Sequence, residues 1–147
     1  MADSLEPGWF QITLKVFLVR EGEDGDEMLI LRDAARQSGD LPGGRLAVSE
    51  LHDPWESALR REIAEELGDD LRYELAPDPL FHFSHVVENG NHPAVGFTYH
   101  AEYRGGDPRL SDEHDWMEWV SIENYSPEPF FRAHMAEAVK LFQTEYA

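Results

Sequence analysis

Gly44-Arg45-Leu46-Ala47-Val48-Ser49-Glu50 and, after ten intervening residues, Arg61-Glu62-Ile63-Ala64-Glu65-Glu66-Leu67-Gly68 form the stretch on which the reading of this chain turns. Its second half carries the local signals of a helix. Asp53 offers a capping side chain, Pro54 suits the first helical position, Glu56 stands where a capping-box acid reaches back, and Gly68 supplies a stop. A rotation of roughly 100° per residue aligns Trp55, Leu59, Ile63 and Leu67 in one apolar stripe. Glu62, Glu65 and Glu66 then share one side of the helix, and Glu66 falls within the edges of the stripe. Such a group can be a solvated acidic face with ordinary pairs, such as Arg61 with Glu65, worth about 0.2–0.5 kcal/mol each. Repulsion among three neighbouring carboxylates, one drawn toward low dielectric, instead favours a cation between them. An all-oxygen donor set selects Mg2+, Mn2+ or Ca2+ over zinc, and Mg2+ binds through few carboxylates while substrate phosphates complete its shell.

Outward from the helix, Leu41-Pro42-Gly43-Gly44 marks a sharp turn, and residues 45–50 carry no clear preference. Residues 10–20 alternate as a strand, with Ile12, Leu14, Val16 and Leu18 on one side and Thr13 and Lys15 on the other; Phe17 and Val19 make its end apolar on both faces. An acidic, glycine-bearing loop over 21–26 and a second strand over 28–32 complete a hairpin, followed by a polar loop over 34–40. Past the helix, residues 71–76, 80–88, 94–103 and 116–122 read as strands, broken by Pro77-Asp78-Pro79 and by Asn89-Gly90-Asn91. Phe131, Met135, Ala138, Val139 and Phe142 predict a closing helix over 128–146. No repeat, linker or composition step divides the chain, so residues 1–147 are expected to form a single α/β domain.

The composition agrees with one core. A chain of 147 residues with 41% hydrophobic residues, 8 Phe, 5 Tyr and 4 Trp is too rich in core-forming side chains for a disordered segment. Thirty acidic against 12 basic residues give a net charge of -18. That field repels nucleic acid polymers and anionic membrane surfaces, and an anionic small substrate needs metal ions or a local Arg cluster to overcome it. The same composition suits a surface screened by concentrated salt. The absence of cysteine removes disulfides, thiolate metal sites and thiol nucleophiles. Residues 1–7 lack the basic start and apolar run of a signal peptide, and no apolar run approaches the roughly 20 residues of a membrane helix, so a cytoplasmic location is expected.

The segment from Gly44 to Gly68 resembles the signature of the Nudix hydrolases, Gly-x5-Glu-x7-Arg-Glu-aliphatic-x-Glu-Glu-x-Gly. It departs in carrying ten residues between Glu50 and Arg61, the additional three assigned to Leu51-His52-Asp53, and in placing Asp69 where an aliphatic residue is usual. The flanking strands, the Gly43-Gly44 pair and a late Ser111-Asp112-Glu113-His114 followed by Trp119-Val120 extend the likeness over most of the chain. The resemblance implies an α/β/α sandwich around a central mixed sheet, and cleavage between the phosphorus atoms of a nucleoside diphosphate linked to another group. It implies Mg2+, with Mn2+ as the alternative, held by Glu62, Glu65, Glu66 and the Gly43 carbonyl, with Arg61 orienting the carboxylates. Water is then the nucleophile, and Glu113 and Glu66 are the candidates to take its proton, with Glu50 third. Arg32 and Arg45 have the forked donors that hold phosphate. His82, His85, His92, His100 and His114 more often complete polar surfaces than carry chemistry, and Trp9, Phe10, Phe81 and Phe83 are read as core before base-stacking residues. A non-catalytic nucleotide-binding or regulatory domain of the same fold is the alternative, the resemblance leaves room for a homodimer, and Ser84, where some ADP-ribose members have Pro, weakens that choice of substrate.

Overall fold

In the computed structural model, which describes residues 5–87 and 92–146, the alternation of the first strand sets the layering. β1 (Gln11–Gly22) buries Leu14, Val16 and Leu18 toward one face and Phe17 and Val19 toward the other, because successive side chains point to opposite sides of a sheet. It pairs antiparallel with β2 (Gly25–Asp33) from Val19↔Met28 to Gly22↔Gly25, across a two-residue turn at Glu23-Asp24. The expected loop over 21–26 is therefore mostly strand; Gly25, at φ 121°, takes the backbone conformation that the tight reversal requires.

The remaining strands are β3 (Gly39–Asp40), β4 (Gly43–Arg45), β5 (Arg72–Leu75), β6 (Phe81–Val87), β7 (His92–Gly105) and β8 (His114–Ser121). The main path runs β3-β2-β1-β7-β5, with β4 also paired to β1, β6 to β7 and β8 to β2. β1 and β7 run parallel from Gln11↔Ala94 to Val19↔Glu102, and the other pairs are antiparallel, so the sheet is mixed. On one face α1 (Trp55–Leu67) buries Ala58, Leu59, Ile63 and Leu67 against Leu14, Val16, Leu18, Leu29 and Leu31. On the other, α2 (Ala133–Tyr146) buries Ala136, Val139 and Phe142 against Phe17, Val19, Met28 and Ile30. The rings of Phe17 and Phe142 stack with centroids 3.9 Å apart. The expected α/β/α sandwich is the observed architecture.

Several boundaries differ from expectation. α1 begins at Trp55 with Pro54 ahead of it, and no side chain caps it. The Asp53 backbone N–H instead donates to the Glu50 carbonyl at the end of a short 3-10 turn, Val48–Glu50. α2 begins at Ala133, later than the periodicity suggests, since a residue that precedes proline is steered away from helical geometry and two prolines, Pro127 and Pro129, interrupt the approach. The intervening Phe131 is fully packed and its N–H donates to the Pro127 carbonyl. The polar loop over 34–40 contributes β3, where Asp40 pairs with Leu31. The expected strand over 80–88 is described from Phe81 to Val87; its last residue and the turn at Asn89-Gly90-Asn91 lie outside the described residues. Among the described residues no helix is long and apolar enough to cross a membrane.

Candidate active site

β4 lies against the first half of β1, in the register Leu14↔Gly44 and Lys15↔Gly43, and so draws the Gly43-Gly44 pair beneath the acidic side of α1. Two different close approaches explain the two glycines. A Cβ on Gly43 would fall 2.0 Å from the Leu14 carbonyl oxygen, and its φ is 134°. A Cβ on Gly44 would fall 2.4 Å from the carboxyl carbon of Glu62. Gly43 thus allows two backbones to touch, whereas Gly44 makes a cradle for a carboxylate.

Glu66, 3% exposed, accepts the Gly43 N–H at 2.8 Å. Burial pushes its carboxyl up to about 7, against the opposing pull of the Lys15 charge and that N–H. Glu62, with a side chain 14% exposed, is also raised by burial; Arg61 opposes this while the charges of Glu65 and Glu113 add to it. Arg61 binds the outer carboxylates. Its Nε and Nη2 donate to Glu50 at 2.8 and 2.9 Å, its Nη1 to Glu65 at 3.0 Å, and Nη2 stands 3.2 Å from Glu62. Glu50 is held below the usual carboxylate range by Arg61 and by the Ala47 N–H that it accepts. The longer spacer after Glu50 leaves that residue engaged with Arg61, because residues 51–53 turn back, the Asp53 N–H donating to the Glu50 carbonyl at 3.2 Å, before α1 begins.

A second cation lies on the inner side. Lys15, buried, pairs with Asp40 at 2.9 Å and donates to the carbonyls of Leu41 at 3.1 Å and Gly43 at 3.3 Å. The other oxygen of Asp40 bonds His114 Nε2 at 2.9 Å. Burial opposes ionisation of all three groups and is outweighed in each. Asp40 falls to about 2, chiefly through Lys15, while Lys15 and His114 are raised by Asp40.

These elements border a cleft of 580 Å3. Glu62, Glu66, Glu113, Gly43 and Gly44 line it, together with Arg36, Arg45 and Arg132. Arg132 donates to the Arg36 carbonyl at 3.2 Å, so the start of α2 and the loop after β2 meet there. The structure thus brings Gly43, Glu62, Glu66, Glu113 and Arg45 to one cleft, whereas Glu65, Glu50 and Arg61 do not line it. Arg32 does not reach it; its Nε donates to Asp115 at 2.7 Å. Of the histidines, His85 lines the cleft and bonds Thr13 Oγ1 at 3.1 Å, His114 braces Asp40, and His100 Nε2 is buried without a hydrogen-bond partner. Phe83 lines the cleft with its ring stacked on His85, Phe81 packs near Phe17, and Trp9 and Phe10 are exposed.

Among the described residues, no three carboxylate or imidazole side chains are gathered as a ready metal site. The acids are instead shared between the chain's own cations, Arg61 outside and Lys15 inside. Sequence reasoning passed over Lys15 and Asp40, and also Arg36 and Arg132. A signal for Lys15 was present: it shares a strand face with Phe17 and Val19, both core residues, so its burial followed from the alternation.

Comparison with known proteins places this site in context. A family model described as NUDIX domain matches residues 10–142. Among solved structures, a MutT NUDIX hydrolase from Burkholderia pseudomallei is 25% identical, with TM-score 0.66 over 90% of this chain and 96% of that one. An Ap4A hydrolase of C. elegans in a binary complex is 20% identical, with TM-score 0.70 over 92% and 97% of the two chains. The NUDIX domain of Shewanella oneidensis NrtR, complexed with ADP ribose, is 13% identical, with TM-score 0.70 over 99% and 94%. No curated protein matches the sequence.

Proposed function

The chain belongs to the Nudix family, and from that membership we propose that it is a divalent-cation-dependent pyrophosphohydrolase acting on a nucleoside diphosphate linked to another group. The observation that carries this reading is the pairing, in one cleft, of raised carboxyls at Glu62 and Glu66 with the arginines Arg36, Arg45 and Arg132. Burial raises both carboxyls, a cost that a cation beside them offsets, and the donors are all oxygen, so Mg2+ or Mn2+ suits the residues present. Glu62, Glu65 and Glu66 would hold it, Glu65 being half exposed and paired with Arg61. Such an ion, once bound, supplies neutralisation of the phosphates and a water more acidic than bulk water.

The chain's own residues account for the rest. Arg61 holds Glu62 and Glu65 on one side of α1 and ties both to Glu50. The forked donors of Arg36, Arg45 and Arg132 bind phosphate oxygens, which a chain of net charge -18 otherwise repels. Glu113 lines the same cleft and lies close enough for Glu62 to feel its charge, which suits it to accept the proton of the attacking water. Glu66 is the second candidate, whereas Glu50 is committed to Arg61 through a fork. The test is a panel of nucleoside diphosphate derivatives with Mg2+ and product identification by mass. Release of a mononucleotide, lost in the Glu65→Gln, Glu66→Gln double variant, supports the reading. Binding without turnover over the whole panel would replace it with a non-catalytic nucleotide-binding domain.

A further inference from the structure

We propose that Lys15 is a tethered cation occupying the inner half of the carboxylate site, so that the Gly43 carbonyl is withdrawn from metal coordination and divalent ions bind only on the outer, Glu62 and Glu65, side. The inference rests on the metal-dependent reading above and departs from it in the ligand set.

An ammonium has three protons to donate, and here three oxygens receive them: Asp40 Oδ1 at 2.9 Å, the Leu41 carbonyl at 3.1 Å and the Gly43 carbonyl at 3.3 Å. Two carbonyls and a carboxylate are the donors that hard metal ions take. Lys15 is thus seated as such an ion would be, on a stem anchored in the sheet core. The Gly43 and Asp40 oxygens are not free to turn away. The β1–β4 register sets Lys15 directly beside Gly43, and the contact between Gly43 and the Leu14 carbonyl leaves that turn no room to shift. Asp40 is fixed from its far side by His114.

Glu66 completes the inner half. One of its oxygens accepts the Gly43 N–H at 2.8 Å, which points it toward the same loop, and the Lys15 charge acts on it. A divalent ion bonded to the Gly43 carbonyl would lie within about 5 Å of the ammonium that shares that oxygen, where like charges repel in a poorly solvated pocket. Lys15 feels Glu62 less strongly than it feels Asp40 or Glu66, and the cation bound to Glu62 and Glu65, Arg61, has a side chain 40% exposed and can release them into solvent.

The experiment is Mn2+ binding to the full chain, wild type and Lys15→Met. Binding is followed by electron paramagnetic resonance of free Mn2+ and by anomalous scattering from soaked crystals. The wild type should show Mn2+ bonded to Glu62 and Glu65 and none bonded to the Gly43 oxygen. Lys15→Met should gain an ion at the Gly43 carbonyl, or bind Mn2+ about 10- to 100-fold more tightly. A wild-type Mn2+ bonded to the Gly43 oxygen overturns the proposal, as does a folded Lys15→Met protein with unchanged stoichiometry and affinity. Should that variant fail to fold, the wild-type map alone decides. Mn2+ absent from the wild type but present at Gly43 in the variant would support the role of Lys15 while removing the metal-dependent reading; absence from both overturns both.

Discussion

The adjacent glycines of β4 provide a test in which neighbouring methyl groups should do opposite things. In Gly43→Ala the added Cβ meets the Leu14 carbonyl oxygen at 2.0 Å, a backbone atom held by strand pairing, and the residue sits at φ 134°. Overpacking and backbone strain of this kind each cost about 1–3 kcal/mol, so the expected loss is about 2–6 kcal/mol. At about 2–4 °C per kcal/mol for a domain near this size, the melting temperature should fall by roughly 10 °C. In Gly44→Ala the backbone is compatible with alanine, and the Cβ meets the end of the Glu62 side chain at 2.4 Å. That carboxylate can swing aside at little cost to the fold, so stability should change by less than about 1 kcal/mol, while a displaced carboxylate lowers turnover by about 100-fold. Thermal unfolding and the nucleotide hydrolysis assay, run side by side, separate the two effects. A Gly44→Ala protein that melts as early as Gly43→Ala, or that keeps full turnover, would refute the assignment of the cradle to Glu62.

Other consequences concern the buried ion pair, the core and the surface. Asp40 is depressed from 3.8 to about 2, so its contribution is fully present above pH 4 and is lost as pH falls through the folded value; wild type should lose about 2 kcal/mol between pH 4 and 2, a step absent from Asp40→Asn in acid titrations of urea stability. Phe142→Ala removes a ring stacked at 3.9 Å on Phe17 and should cost about 3–5 kcal/mol in urea unfolding, and a loss below about 1 kcal/mol would contradict the two-faced core. With a net charge of -18, the thermal midpoint should rise as KCl approaches about 1 M, where the screening length shrinks to about 3 Å; a flat or falling midpoint would count against self-repulsion as a limit on stability.

The layering was legible because period fixes it. Leu14, Val16 and Leu18 against Phe17 and Val19 announce a strand buried on both sides, and Leu59, Ile63 and Leu67 announce the helix that covers one of them. The acids of α1 were equally visible from their spacing. What the sequence hid depends on chain segments that meet only in the fold. Lys15 read as a polar position until β4 and Asp40 arrived above it, 25 or more residues downstream. Arg32 read as a phosphate ligand because its partner Asp115 lies 83 positions away, brought near by the β2–β8 pairing. The spacer after Glu50 looked like a displacement of that residue, and only the turn over 51–53, closed by the Asp53 N–H on the Glu50 carbonyl, shows the additional length being taken up locally.

Turnover of a single active nucleoside diphosphate derivative, measured with and without Mg2+ in the wild type and in Glu62→Gln, bears most directly on the claim that this acidic cluster cuts a phosphoanhydride. Mononucleotide should form only when Mg2+ is present, and at least about 100-fold more slowly in the variant at unchanged melting temperature. Equal rates in the two proteins, or turnover that persists after complete chelation, would contradict it.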